Sequence, residues 1–429
     1  MTEPKNSSYW LDTAPEFKGS TGYEFLGEKV DVAVVGGGFT GLSTALELAK
    51  RGAKVAVLEA GRVVGGASGR NGGQCNNGLA HDFATLASSM GREKALYFYK
   101  SYVEAVDTVE RLVQEYHIEC DFRRCGRLKL AAKPEHFDKL EKSFDILRDG
   151  VDENVELVSP ENIREEIGST LFHGGLLQRN SAQMHVGKFG VGLAEAAANK
   201  GVRIFENSEV SGYSVLSNGG FELDISGHSL TAKQIFVATG GHGKSPFGWF
   251  RRRIIPIGSF AIVTKPLERD LLERLFPTRR NYVTSKNIGN YFLVTPDDRL
   301  LFGGRAKFST SNAKSDADAA KMLSKVLGDT FPDLADIKLD NCWGGQVDMT
   351  QDRLPRAGEK DGIFYAMGYS GHGVQMSVHM GPVMADVMEG KGEANPWRDL
   401  NWPAIPGYFG KPWFLPFVGA YYRLQDYLH

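Results

Sequence analysis

The stretch VVGGGFTGLSTALELAKRGAKVAVLEA, residues 34–60, constrains this chain more than any other. The apolar run VDVAVV, over 30–35, stops at Gly36 and reads as a buried parallel strand. GFTGLSTALELAKRG then sets Leu42, Ala45, Leu46 and Ala49 at helical spacing and ends on Gly52. AKVAVLEA, at 53–60, is a second buried strand. A right-handed crossover between the two makes the sheet parallel.

Inside this βαβ unit, G-x-G-x-x-G falls on Gly36, Gly38 and Gly41. Gly36 permits the tight turn, and Gly38 lets a pyrophosphate approach the backbone. Gly41 lets helix and strand pack closely. Phe39 and Thr40 open the helix, whose N-terminus faces the anionic phosphates. Glu59 ends the second strand, beside Ala60, where a carboxylate accepts both ribose hydroxyls and repels a 2′-phosphate. A strand before the glycines, a helix after them and an acid at the right distance predict a dinucleotide cofactor.

A second glycine loop follows at once: GGASGRNGG, residues 65–73, then QCNN. A nicotinamide-binding unit has no need of it. A flavin does, because its ribityl chain and ring extend along the next segment. Ala67, Ser68, Asn71, Gly73 and Gln74 are the expected contacts, while Arg70 either balances phosphate charge or stands at the surface.

The chain of 429 residues is too long for one ordinary core. Its 42% apolar and 24% charged residues are those of a globular protein. A formal net charge of −2, well mixed, argues against a nucleic-acid partner. The opening MTEPKNSSYW lacks the regions of a secretory signal, and no apolar run approaches the roughly 20 residues of a membrane span. None of Cys75, Cys120, Cys125 and Cys342 forms a CxxC pair, so neither a metal site nor a disulfide framework is indicated, and a cytoplasmic location is expected.

Further along, helical stretches near 92–116 and 134–148 flank the strand-like CDFRRCGRLKLAA. A helix and strand follow at 187–206, then antiparallel strands return to the buried IFVATG. Strand-like segments fill 257–306, a helix lies near 315–328, and the glycine-rich WGGQVD precedes GIFYAMGYSGHG. The predicted fold is α/β: a Rossmann-like domain with a parallel sheet and a β-meander, and an interleaved α+β domain with a mixed antiparallel sheet. The first domain takes residues 25–92, 156–245 and 345–395. The second takes 93–155 and 246–344, and an aromatic tail occupies 396–429.

VVGGGFTGLS, LEAGRVVGGASGRNGGQ, VATGG and GYSGHGVQMS together resemble the D-amino-acid-oxidase-type flavoproteins over nearly the whole chain. The resemblance implies non-covalent FAD and oxidation of a C–N bond. It implies that the backbone of Val210 holds adenine, and that Thr239 and Gly240 of VATGG join the cofactor site. Gly371, His372, Gly373 and Val374, where a strand turns into a helix, would face the flavin pyrimidine carbonyl and stabilise charge there. His372 acts in catalysis or is only a loop residue.

Departures from relatives that act on α-amino acids are informative. Those relatives hold the substrate carboxylate with a cation, at positions matching Gln375 and Val347 here. Leaving a carboxylate unpaired in a dry pocket costs several kcal/mol. An amine substrate is therefore expected, γ-glutamylputrescine by resemblance, with dioxygen as oxidant and hydrogen peroxide as product. Asp348 either receives a cationic group of that amine or caps a turn. The flavin-linking cysteine of sarcosine-type relatives matches Gly345, with Cys342 three residues away. The tail GYFGKPWFLPFVGAYY either packs over the second domain or rests on a membrane or carrier. A dehydrogenase serving a quinone or carrier, and a flavin-stabilised binding module without turnover, are the rival readings.

Overall fold

In the computed structural model, which describes residues 4–217, 219–243, 246–304 and 313–428, the strand Val30–Val35 is central. It runs parallel to Val55–Leu58 on one side and His228–Val237 on the other. Arg203–Phe205 extends the parallel sheet beyond Val55–Leu58, and Ile363–Met367 extends it beyond His228–Val237. The first half of His228–Val237 also closes an antiparallel meander with Val210–Val215 and Phe221–Ile225. These strands read as near-continuous apolar runs because helices or strands cover both faces.

Two helices pack on one face of this sheet. Phe39–Lys50 follows the glycine motif, and Gly373–Met388 follows the GYSGHG turn. They touch closely: a Cβ on Gly381 would overlap Ser43, whose hydroxyl donates to the Val378 carbonyl at 2.7 Å.

The second sheet has the order Leu339–Met349, Ile255–Thr264, Leu300–Gly304, Asn290–Val294, Asn281–Thr284, Arg127–Leu130, Gly175–Gln178, Val155–Val158. Its neighbours are antiparallel except Asn281–Thr284 against Arg127–Leu130. One face carries Leu128, Leu130, Phe260, Tyr282, Phe292 and Phe302, buried with Leu272, Leu323 and Leu327 of the helices Arg269–Leu275 and Ala313–Thr330. The opposite face looks toward the parallel sheet.

The sheets do not follow the segment limits drawn from sequence. Val155–Val158 and Gly175–Gln178, assigned to the nucleotide-binding domain apart from Val155, hydrogen-bond into the second sheet. The glycine-rich WGGQVD is part of one eleven-residue strand, Leu339–Met349. Its glycines are small for a packing reason, since a Cβ on Gly345 would lie 3.2 Å from that of Arg70.

Both ends of the chain are tied down. Near the start, the short helix Tyr9–Asp12 sits under the second glycine loop. Ser8 Oγ donates to the Gly69 carbonyl at 2.6 Å and Trp10 Nε1 to that of Asn71 at 2.8 Å. Lys5 N–H donates to Asp340 O, and Cys342 N–H to Lys5 O. At the other end the tail forms the helix Leu415–Leu428. Leu415 is buried on Ile257, and the Asp426 carboxylate accepts the backbone N–H groups of Asn287 and Ile288, each at 2.8 Å.

Candidate cofactor and substrate site

A cleft of about 1530 Å³ runs between the two sheets. Gly36, Gly38, Phe39 and Thr40 line it at the C-terminal end of Val30–Val35, with Glu59 and Ala60 at the end of Val55–Leu58. Gly41 does not line it. A Cβ there would overlap the Gly36 carbonyl, so this glycine seats the helix on its strand. Glu59 accepts N–H groups from Gly37 at 2.7 Å and Gly61 at 2.8 Å. Burial raises its pKa, and those two donors work against the rise.

The second glycine loop contributes Ala67, Ser68, Arg70, Asn71 and Gln74 to the wall. Ser68 Oγ accepts the Phe39 N–H at 3.0 Å, which locks the loop to the helix start. Several of its residues also hold the protein itself together. Asn71 spends its side chain on the carbonyls of Ala67 and Ser68 and the N–H of Gly73. Gly73, expected at the cofactor, is not on the wall: a Cβ there would lie 2.7 Å from the Trp10 ring. Arg70 lines the cleft rather than standing free at the surface. It is half-buried, and its guanidinium donates to the carbonyls of Gly65 and Gly344, binding the loop to the second sheet. Gln74 donates to the carbonyls of Tyr282 and Phe292.

Val210, at the start of the meander, and Thr239 and Gly240, just past the end of His228–Val237, also line the cleft. Gly371, His372, Gly373, Val374 and Gln375 close it, where Gly373–Met388 begins. His372 meets the Tyr102 ring edge-on, with centroids 6.1 Å apart. Gln375 is buried, and its amide nitrogen donates to the Asn76 carbonyl at 2.5 Å. Tyr369 Oη and Thr40 Oγ1 are 2.8 Å apart, a bond between the two cofactor-facing segments that sequence reasoning missed.

Asp348 lies on the same wall. Its Oδ2 accepts the Gly368 N–H at 2.6 Å, so it does brace the GYSGHG turn. It makes no ion pair with any described residue. Burial lifts its pKa to about 6, against the pull of backbone donors at Gly368, Asp348 and Tyr369. At neutral pH it is a carboxylate with spare accepting capacity and, among the described residues, no cation paired with it.

Sequence reasoning also missed much of the substrate end. Tyr291, Arg127, Lys129, Gln178 and the tail residues Phe414, Leu415, Val418 and Tyr422 all line the cleft. The alternation in RLKL, which puts Arg127 and Lys129 on one face of a strand, was the available signal.

The residues fit an FAD. A Cβ on Gly36 or Gly38 would come within 2.7 Å of Ala238 O and 2.9 Å of Ser68 Oγ, leaving bare backbone at the phosphate position. Two helices begin at the cleft, and Thr239 Oγ1 is buried there without a hydrogen-bond partner. Glu59 stands where a ribose would be held. Cys342 is on the other side of its strand from Gly345, buried in the second core, and burial raises its thiol pKa.

Comparison with known proteins agrees with this geometry. The chain is 33% identical over 387 residues to the probable oxidoreductase OrdL of Haemophilus influenzae, spanning 89% of this chain and 88% of that one. It is 32% identical to the gamma-glutamylputrescine oxidoreductase of Escherichia coli, with 100% of both chains covered. The crystal structure of glycine oxidase from Geobacillus kaustophilus superposes with a TM-score of 0.70 at 23% identity, covering 89% of this chain and 98% of that one, and shares the fold. The family model described as FAD dependent oxidoreductase (DAO) matches residues 31–387, and with the two-sheet cleft and its paired glycine loops this chain belongs to that family of FAD enzymes acting on amines or amino acids.

Proposed function

We propose that this protein is an amine oxidase that takes a γ-glutamylputrescine-like substrate. One observation carries the reading: half-buried Asp348 lines the cleft wall and pairs with no cation among the described residues, while Val347 and Gln375 put no positive charge beside it. An α-amino acid would bring a second carboxylate there unpaired. An amine brings the opposite charge.

Bound FAD, held without a covalent link, supplies the acceptor for the hydride. Asp348 draws the ammonium form of the substrate inward, and desolvation in the cleft then favours the neutral amine. The backbone at Gly371, His372 and Gly373, with the helix start behind it, stabilises negative charge where the ring would lie. Positioning and preorganised charge account for most of the catalysis, so no dedicated strong base is required. The imine product hydrolyses to an aldehyde and ammonia, and dioxygen takes the two electrons as hydrogen peroxide.

A dehydrogenase that serves a quinone or carrier is supported by a different observation. Phe409, Trp413, Phe417, Tyr421 and Tyr427 of the tail are exposed, a surface suited to a membrane or a carrier. A panel of amines separates the readings. The oxidase bleaches its flavin anaerobically with one of them and releases peroxide in air. Bleaching without peroxide marks the dehydrogenase, and no bleaching with any amine marks a binding module.

A further inference from the structure

Arg127 and Lys129 project from the strand Arg127–Leu130 toward the cleft, while Leu128 and Leu130 point into the core behind it. Neither cation makes an ion pair with a described residue. The guanidinium of Arg127 donates to Gln178 Oε1, but its Nε is buried and has no partner. Asp152 offsets part of the charge on Arg127 and Asp82, also on the cleft wall, part of that on Lys129, but burial outweighs both and neither acid forms an ion pair with them. Asp82 accepts Thr85 N–H at 2.8 Å and Thr85 Oγ1–H at 2.7 Å, and Asp152 accepts Tyr99 Oη–H at 2.7 Å and the N–H of Asn154 at 2.9 Å.

Two like charges side by side in a protein interior are costly. Burial lowers the pKa of both, Arg127 to about 10, and Arg127 lowers Lys129 further. An anion bound between them removes the cost, and a carboxylate fits the guanidinium fork as well as the ammonium point charge.

The position of this pair relative to the cofactor end is defined by Asn76. Its carbonyl accepts from Gln375, and its side-chain oxygen accepts from Asn281 Nδ2 at 2.8 Å. Asn281 is in register with Arg127 on the neighbouring strand. The cationic strand is two strands from Tyr291, whose ring abuts Gly72 of the second glycine loop. At about 4.8 Å per strand that is roughly 10 Å, the scale of a short extended chain.

We infer that Arg127 and Lys129 form a subsite for a remote carboxylate, so that the substrate is an extended molecule with an oxidisable amine at one end and a carboxylate at the other. The cleft is then charged in opposite senses at its two ends, Asp348 for the amine and the cationic pair for the acid. This deepens the amine-oxidase reading and rests on it for the identity of the amine end alone.

The test uses the FAD-loaded protein and two non-oxidisable probes that lack the terminal amine: γ-glutamyl-n-butylamide, and the same molecule with its α-carboxylate converted to a carboxamide. Calorimetric titration should find the acid bound at least about tenfold tighter than the amide. Lys129→Met and Arg127→Gln should each reduce the acid-over-amide ratio by about tenfold. Circular dichroism and flavin content identify any variant that fails to fold, and Lys129→Arg should restore the ratio. Equal binding of acid and amide by the unaltered protein, or variants that weaken both probes alike, would overturn the subsite. The probes report on the acid end only, so failure of amine oxidation with the acid preference intact would reject the reaction and leave the subsite standing.

Discussion

Gly72 lies flat against Tyr291: a Cβ on the glycine would come 2.6 Å from Cε2 of the tyrosine ring. One residue belongs to the cofactor loop and the other to the substrate sheet, and Gly303 clamps the same ring from its own sheet. Gly72→Ala should therefore destabilise the protein by about 1–3 kcal/mol through overpacking. Combining it with Tyr291→Ala should recover part of that loss. Denaturant unfolding of the four proteins in the cycle measures the coupling, expected at roughly 1 kcal/mol; additive losses would mean the two residues do not constrain each other.

Asp348 gives a pH signature. Its folded pKa of about 6 is above the ordinary 3.8. The folded state therefore holds this proton more tightly, a contribution complete below pH ~4 and lost as pH rises through ~6. Asp348→Asn should melt above the parent at pH 8, and the gap should close by pH 4. Melting curves across that range check it, and a gap that widens toward low pH contradicts the assignment.

Gly41 offers the sharpest test of the nucleotide site. Since a Cβ would overlap the Gly36 carbonyl, Gly41→Ala must push the helix off its strand. Purified variant should hold little or no flavin by absorbance, whereas Gly61→Ala, whose added atom meets only a Glu59 oxygen at 3.7 Å, should bind flavin as the parent does.

Flavin attachment is checked by acid precipitation. Cys342 is in the core on the side of its strand facing away from Arg70 and the glycine loop. All the flavin should appear in the supernatant, with Cys342→Ala giving the same result.

The terminal helix and the residue before it wall the cleft through Phe414, Leu415, Val418 and Tyr422. Ending the chain at Gly410 should raise KM about tenfold, ~1.4 kcal/mol of lost contact, with flavin content unchanged. Steady-state kinetics on the preferred amine measures this.

What the sequence made legible was whatever local geometry dictates. The first glycine motif, its flanking strands and Glu59 could be placed because each residue's role depends on neighbours a few positions away. The second loop was harder. A missing side chain reveals that something comes close, not what, and Gly73 makes room for Trp10 rather than for cofactor. Arg70 read as either a partner for phosphate or a surface residue, and its bond to the Gly344 carbonyl, 274 residues away, was out of reach of local reasoning. The cationic pair stayed hidden because alternation in four residues marks a strand without saying which face opens onto a cleft.

The first dozen residues carry a practical consequence. Lys5, Ser8 and Trp10 bond to both the glycine loop and the strand Leu339–Met349, so they act as a strap across the seam between the two sheets. A shortened version starting at Val30, where the recognisable nucleotide unit begins, would leave that seam unfastened. Loss of flavin in such a truncation would be an injury to the strap, with every residue of the motif itself intact.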